Sequence, residues 1–159
     1  MEYYDSISKG YSELHGEEQR KKIAIIKKYL KIKKSDKLLD VGCGTGLSSD
    51  FDCEVYGLEP SKKLLDQARL KNKVRAKAED IPFPDNFFDI VISITAIHNF
   101  EDIEKGIREM KRVGKQRFVF SLLKRSPKID EIRKIIKGNF KITKEIEEDK
   151  DIILFLDKE

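Results

Sequence analysis

"LLDVGCGTGLSSDFDCEVYGLEPS", residues 38–61, decides how the rest of the chain is read. An apolar run ends on Asp40-Val41, glycines stand at 42, 44 and 46, and a second apolar run climbs to Glu59. Alternate glycines strip a turn of side chains, so that a ligand touches main chain and free N–H groups. Two parallel strands joined through such a turn form the start of an open α/β sheet, which binds ligands outside the carboxyl ends of its strands. The stretch therefore predicts a nucleotide pocket.

Spacing separates the nucleotides. A phosphate-binding P-loop requires Lys and then Ser or Thr after its last glycine, but Gly46 is followed by Leu47-Ser48. A dinucleotide fingerprint, G-x-G-x-x-G, requires glycine at position 47, and the third glycine arrives one residue early. A nicotinamide cofactor keeps some support from Glu59, which ends the second strand where such enzymes also place a ribose-binding acid.

Outward from this stretch, helical and strand patterns alternate. Ile23, Ile26 and Leu30 recur at helical spacing and predict an amphipathic helix over about 17–33, ahead of a strand at 37–41. Only a short helix fits after the glycines, before a strand at 54–58; Ser61 then caps a helix carrying Leu64, Leu65 and Ala68. Strands are expected at 74–78, 88–94 and 118–120. One helix is traced by Ile103, Ile107 and Met110, and another opens at Ser126-Pro127 with Ile129, Ile132 and Ile136. A hairpin of 140–146 and 152–156 closes the sheet around an acidic turn at 147–151.

Composition narrows the class. A chain of 159 residues, 39% hydrophobic, buries one core and is expected to be a single domain, with 1–34 as N-terminal lid and helix and 35–159 as sheet core. No apolar run is long enough to span a membrane and the opening is not that of a signal peptide, so a soluble cytoplasmic protein is expected. Cys43 and Cys53 read as small buried apolar residues, not as a metal site or disulfide. The 39% charged residues, mostly Lys and Glu, lean towards a thermophile. Nine cations between Arg20 and Lys37 face one acid, Asp36. They read first as a solvated helix face and second as a nucleic-acid patch. His15 has no motif around it.

Asp40-Val41-Gly42-Cys43-Gly44-Thr45-Gly46, the acid at Glu59 and the block "AEDIPFPDNFFD" at 78–89 resemble the class I S-adenosylmethionine-dependent methyltransferases, in the branch typified by ubiquinone/menaquinone-biosynthesis enzymes. The likeness runs over nearly the whole chain. It implies a Rossmann-like, doubly wound, seven-stranded sheet, parallel except for its antiparallel last strand, and S-adenosylmethionine as cofactor. It assigns Asp40 and Gly42, Gly44 and Gly46 to the methionine end and Glu59 to the ribose. The adenine falls to Glu79, Asp80 and Ile81, with Pro60 as apolar cover, and Tyr4 and Tyr11 belong to a lid. Chemically, one carboxylate at Glu59 accepts from both vicinal hydroxyls of a ribose. Relatives often carry Asp where Lys77 stands, and Lys has no acceptor for the adenine amino group. The Gly46 to Glu59 interval of 13 residues is also about one helical turn shorter than usual.

Methyl transfer is an in-line displacement that needs alignment above all, and a base only where the acceptor must lose a proton. His98, after the fourth strand, is the candidate to orient or deprotonate the acceptor. A pocket-wall role is its alternative. Relatives acting on small molecules carry inserted covers that are short here. That favours an RNA or protein acceptor slightly over a small molecule, or completion by an activating partner chain. A non-catalytic subunit binding S-adenosylmethionine and a nicotinamide enzyme remain as further alternatives.

Overall fold

A computed structural model describes residues 9–46 and 49–158, with side chains from residue 16 onward in that range. Tyr4 and the Leu47-Ser48 pair lie outside the described residues, as does the side chain of Tyr11. Helix α1 (Lys9–Tyr29) precedes strands β1 (Lys37–Val41) and β2 (Glu54–Leu58), followed by α2 (Lys62–Gln67), β3 (Asn72–Val74) and β4 (Phe88–Ile94). After a 3-10 turn (Ile97–Asn99) come α3 (Ile103–Val113), β5 (Gly114–Leu123), α4 (Ile129–Asn139), β6 (Phe140–Glu147) and β7 (Asp151–Lys158). The strands form one seven-stranded sheet in the order β3-β2-β1-β4-β5-β7-β6. β7 alone runs antiparallel to both its neighbours. This is the sheet that the resemblance implied.

Alternation along the strands sorts the core onto two faces. Leu39, Val41, Val91, Phe118, Phe120 and Leu154 pack with the buried stripes of α3 (Ile103, Ile107, Met110) and α4 (Ile132, Ile136). Leu38, Ile90, Ile92, Val119 and Ile153 pack with Ile23 and Ile26 of α1. Phe88 shares the face of Val91 rather than that of Ile90, because the β4–β5 register shifts between Phe88 and Ile90. The order reverses between β1 and β4, so the glycine turn and the segment after β4 emerge side by side at the switch point.

Four local expectations are corrected. Helix α1 runs Lys9–Tyr29, beginning eight residues before and ending four residues before the expected 17–33. Residues 42–46 form a turn and 49–53 are irregular, so among the described residues no helix lies between the glycines and β2. β3 is Asn72–Val74, not 74–78: it pairs with Tyr56, Gly57 and Leu58, and β2 has no strand beyond Leu58 for later residues to join. α4 starts two residues after Pro127. Ser126 Oγ accepts from Lys128 N at 3.2 Å in a turn ahead of the helix, and Lys128 is the cap. Ser61 does cap α2, accepting from Leu64 N at 3.3 Å.

Candidate cofactor and methyl-transfer site

The glycine turn is left-handed at all three glycines, with φ of +79° at Gly42, +55° at Gly44 and +86° at Gly46, a conformation costly for any residue with a Cβ. Gly42 is also pressed against the segment after β4: a Cβ there would stand 2.7 Å from Ala96 Cβ. The amides of Gly42 and Cys43 both donate to Leu58 O, at 2.8 and 3.1 Å, which ties the turn to the end of β2.

Glu59 stands at that end, 2% exposed. Its Oε1 accepts from Gly44 N and its Oε2 from Ser61 N, each at 2.9 Å. The acid thus braces the turn from beneath. Each oxygen of the carboxylate is an acceptor, and a vicinal diol presents two hydroxyl donors at matching spacing. Asp40, fully buried at the end of β1, accepts from Ser49 Oγ at 2.6 Å. Burial, with Asp40 and Glu59 alongside, pushes the Cys43 thiol far above its usual range, and burial raises Cys53 to about 11. Neither is a ready thiolate.

Ala78 and Ile81 are buried, while Asp80 and Pro60 are exposed. Glu79 Oε2 accepts from Asp102 N at 2.8 Å, and Lys77 pairs with Glu101 at 3.0 Å, bracing this loop against the start of α3. Sequence reasoning missed what holds the loop in place. Arg112 on α3 donates to Ile81 O, Phe83 O and Asp85 Oδ1, each at 2.9 Å, while Glu109 accepts from Ile81 N at 3.0 Å. Their i, i+3 spacing on α3 is visible in the sequence, but the loop as their target is not.

His98 is half-buried on the 3-10 turn, and burial lowers its pKa below 6.5, with Lys128 and Lys22 acting in the same sense and Asp151 against it. Two further residues emerge only here. Lys22, expected on the solvated face of α1, is 4% exposed, and Asp151, expected in an acidic turn, is fully buried at the start of β7. They pair at 3.3 Å.

The glycine cradle and the buried acid beside it fit a nucleoside bearing a ribose diol and an amino-acid end. Asp40, Gly42, Gly44, Gly46 and Glu59 gather at the carboxyl ends of β1 and β2, with Ala96 against Gly42 joining the His98 turn to them. Comparisons agree with this geometry. The family model described as "Methyltransferase domain" matches residues 39–120. An uncharacterized protein of Methanocaldococcus jannaschii is 35% identical over 151 residues, covering 90% of this chain and 59% of that protein. A ubiquinone/menaquinone biosynthesis C-methyltransferase of Stenotrophomonas maltophilia is 36% identical over 101 residues, 53% of this chain and 40% of the relative. The chain thus spans about half the length of these curated relatives. A chain from the complex between the Haloferax volcanii Trm112 methyltransferase activator and a proposed methyltransferase superposes with TM-score 0.79 at 13% identity, over 94% of both chains. With sheet order, glycine turn and family match in agreement, the chain belongs to the class I S-adenosylmethionine-dependent methyltransferases.

Proposed function

We propose that the protein transfers a methyl group from S-adenosylmethionine to an acceptor bound at the carboxyl ends of β4 and β5. The observation that carries this is Glu59, buried beneath a left-handed glycine turn with one amide on each carboxylate oxygen. The cofactor supplies a methyl group already activated by its sulfonium. Glu59 takes the ribose hydroxyls, and the main chain from Gly42 to Gly46 with Asp40 takes the methionine end. The loop from Glu79 and Asp80 to Ile81, covered by Pro60, takes the adenine. Tyr11 closes over it as part of the lid. His98, kept neutral by burial, orients the acceptor or accepts its proton.

The ubiquinone/menaquinone relative is named for a small-molecule pathway, which supports a small acceptor over the RNA or protein expected from the short connections. A macromolecular acceptor, or completion by an activating chain, is the second reading. The connections at 124–128 and 148–150 are short, and the Haloferax likeness is to a chain solved with an activator.

Calorimetry tests the cofactor: S-adenosylhomocysteine should bind and NAD should not, and equal affinity for NAD would overturn the reading. Labelled S-adenosylmethionine with cell extract split into RNA, protein and small-molecule fractions tests the acceptor. Label in the small-molecule fraction is expected. Label in RNA or protein would favour the second reading, and label nowhere despite cofactor binding would favour a non-catalytic subunit.

A further inference from the structure

A buried polar cluster joins four elements directly beside this site. Lys22 comes from α1, Thr95 follows β4, Ser121 lies in β5 and Asp151 opens β7. Thr95 is its centre. The Thr95 hydroxyl accepts from Lys22 Nζ at 2.8 Å, donates to Asp151 Oδ2 at 2.6 Å and lies 3.2 Å from Ser121 Oγ, while the Thr95 amide donates to Ser121 Oγ at 2.9 Å. One proton and two lone pairs are thereby all used. Asp151 Oδ1, fully buried, has no hydrogen-bond partner among the described residues.

Two features make this an expensive way to hold a fold. A buried ion pair contributes little stability beyond what an apolar pair of the same volume gives. Thr95 also sits at φ +52°, a left-handed conformation in which a β-branched residue is an outlier. Strain over-determined by its surroundings concentrates where geometry matters to function. Here the next residue, Ala96, is the one packed on Gly42, and its carbonyl accepts from Asn99 N at 3.0 Å to close the turn that carries His98.

We propose that Lys22, Ser121 and Asp151 are positioning residues for methyl transfer: they lock Thr95 in its left-handed conformation and so fix the 96–99 turn, with His98, against the glycine turn. The inference rests on the methyltransferase reading. It gives α1 a second task, since the helix that covers one face of the sheet also supplies the cation of the lock.

The test uses the ring-proton NMR signals of the two histidines, with His15 as internal reference, as S-adenosylhomocysteine is added. Thr95→Val keeps shape and β-branching but loses the hydroxyl; Thr95→Ser restores it. In the parent and in Thr95→Ser, cofactor product should shift the His98 signal. In Thr95→Val it should bind within about twofold of the parent, while the His98 shift falls below about half. Ser121→Ala, which removes Ser121 Oγ from both the Thr95 hydroxyl and the Thr95 amide and leaves that amide only Ser121 O at 3.1 Å, should show the same loss and replaces Thr95→Val should that variant not fold. Normal binding with an undiminished His98 shift in Thr95→Val, or in Ser121→Ala where it stands in, would overturn the positioning role alone. Failure of the parent to bind S-adenosylhomocysteine would instead overturn the methyltransferase reading and this inference with it.

Discussion

At Glu59 a single carboxylate is assigned two duties, bracing the glycine turn and receiving the ribose. Glu59→Ala should therefore lower S-adenosylhomocysteine affinity at least about tenfold by calorimetry. It should also cost about 2 kcal/mol of stability in denaturant unfolding, because the Gly44 and Ser61 amides lose their acceptor. A variant that binds like the parent would show that Glu59 serves the turn only. Gly42→Ala adds a Cβ at φ +79° and 2.7 Å from Ala96, and should cost about 2–3 kcal/mol and most of the cofactor affinity. His98 carries a pH signature. Burial favours its neutral form, so the folded protein binds fewer protons than the unfolded chain, and stability rises with pH between the lowered value and 6.5. Melting temperature should fall more steeply in the parent than in His98→Phe as pH drops through that window.

Among the elements, α3 organises the loop assigned to the adenine. Arg112 is part-exposed, yet it donates to two carbonyls and two carboxylates and holds the 81–85 segment over the aromatic group of Tyr56, Phe83, Phe87 and Phe88. Arg112→Met retains the stem and removes these bonds. It should destabilise the protein by about 1–3 kcal/mol and weaken S-adenosylhomocysteine binding by roughly tenfold, with hydrogen exchange rising first at Ile81 and Phe83. The strands were legible where periodicity and burial coincide: β1, β2 and β4 lie at the residues their apolar runs predict. β3 was not, because its bounds depend on the partner strand; residues 75–78, beyond its last pair with Leu58, have no part of β2 to pair with. The helix expected after the glycines fails on length, since the turn itself and the entry to β2 use up the described residues of the interval.

Across the whole molecule, the buried pair couples residues 22 and 151, near opposite ends of the sequence. Lys22→Met alone leaves Asp151 buried without its cation, and should cost about 3–5 kcal/mol. The double variant Lys22→Met/Asp151→Leu should recover most of that loss in denaturant unfolding. Little recovery would mean that the two residues contribute independently of each other. The sequence by itself determined the order of the strands, the glycine turn after β1 and the acid after β2. These depend on local spacing: glycines two apart at the end of a strand, an acid at the end of the next, and alternation that says which strands are buried. Only the tertiary structure decided the buried polar cluster around Thr95. Lys22 belongs to a run of cations that reads as solvated, and Asp151 to a run of acids that reads as a turn. Burial of either depends on α1 lying across the sheet where β7 begins. That placement follows from side-chain packing between Ile23, Ile26 and the strands, and no spacing along the chain records it.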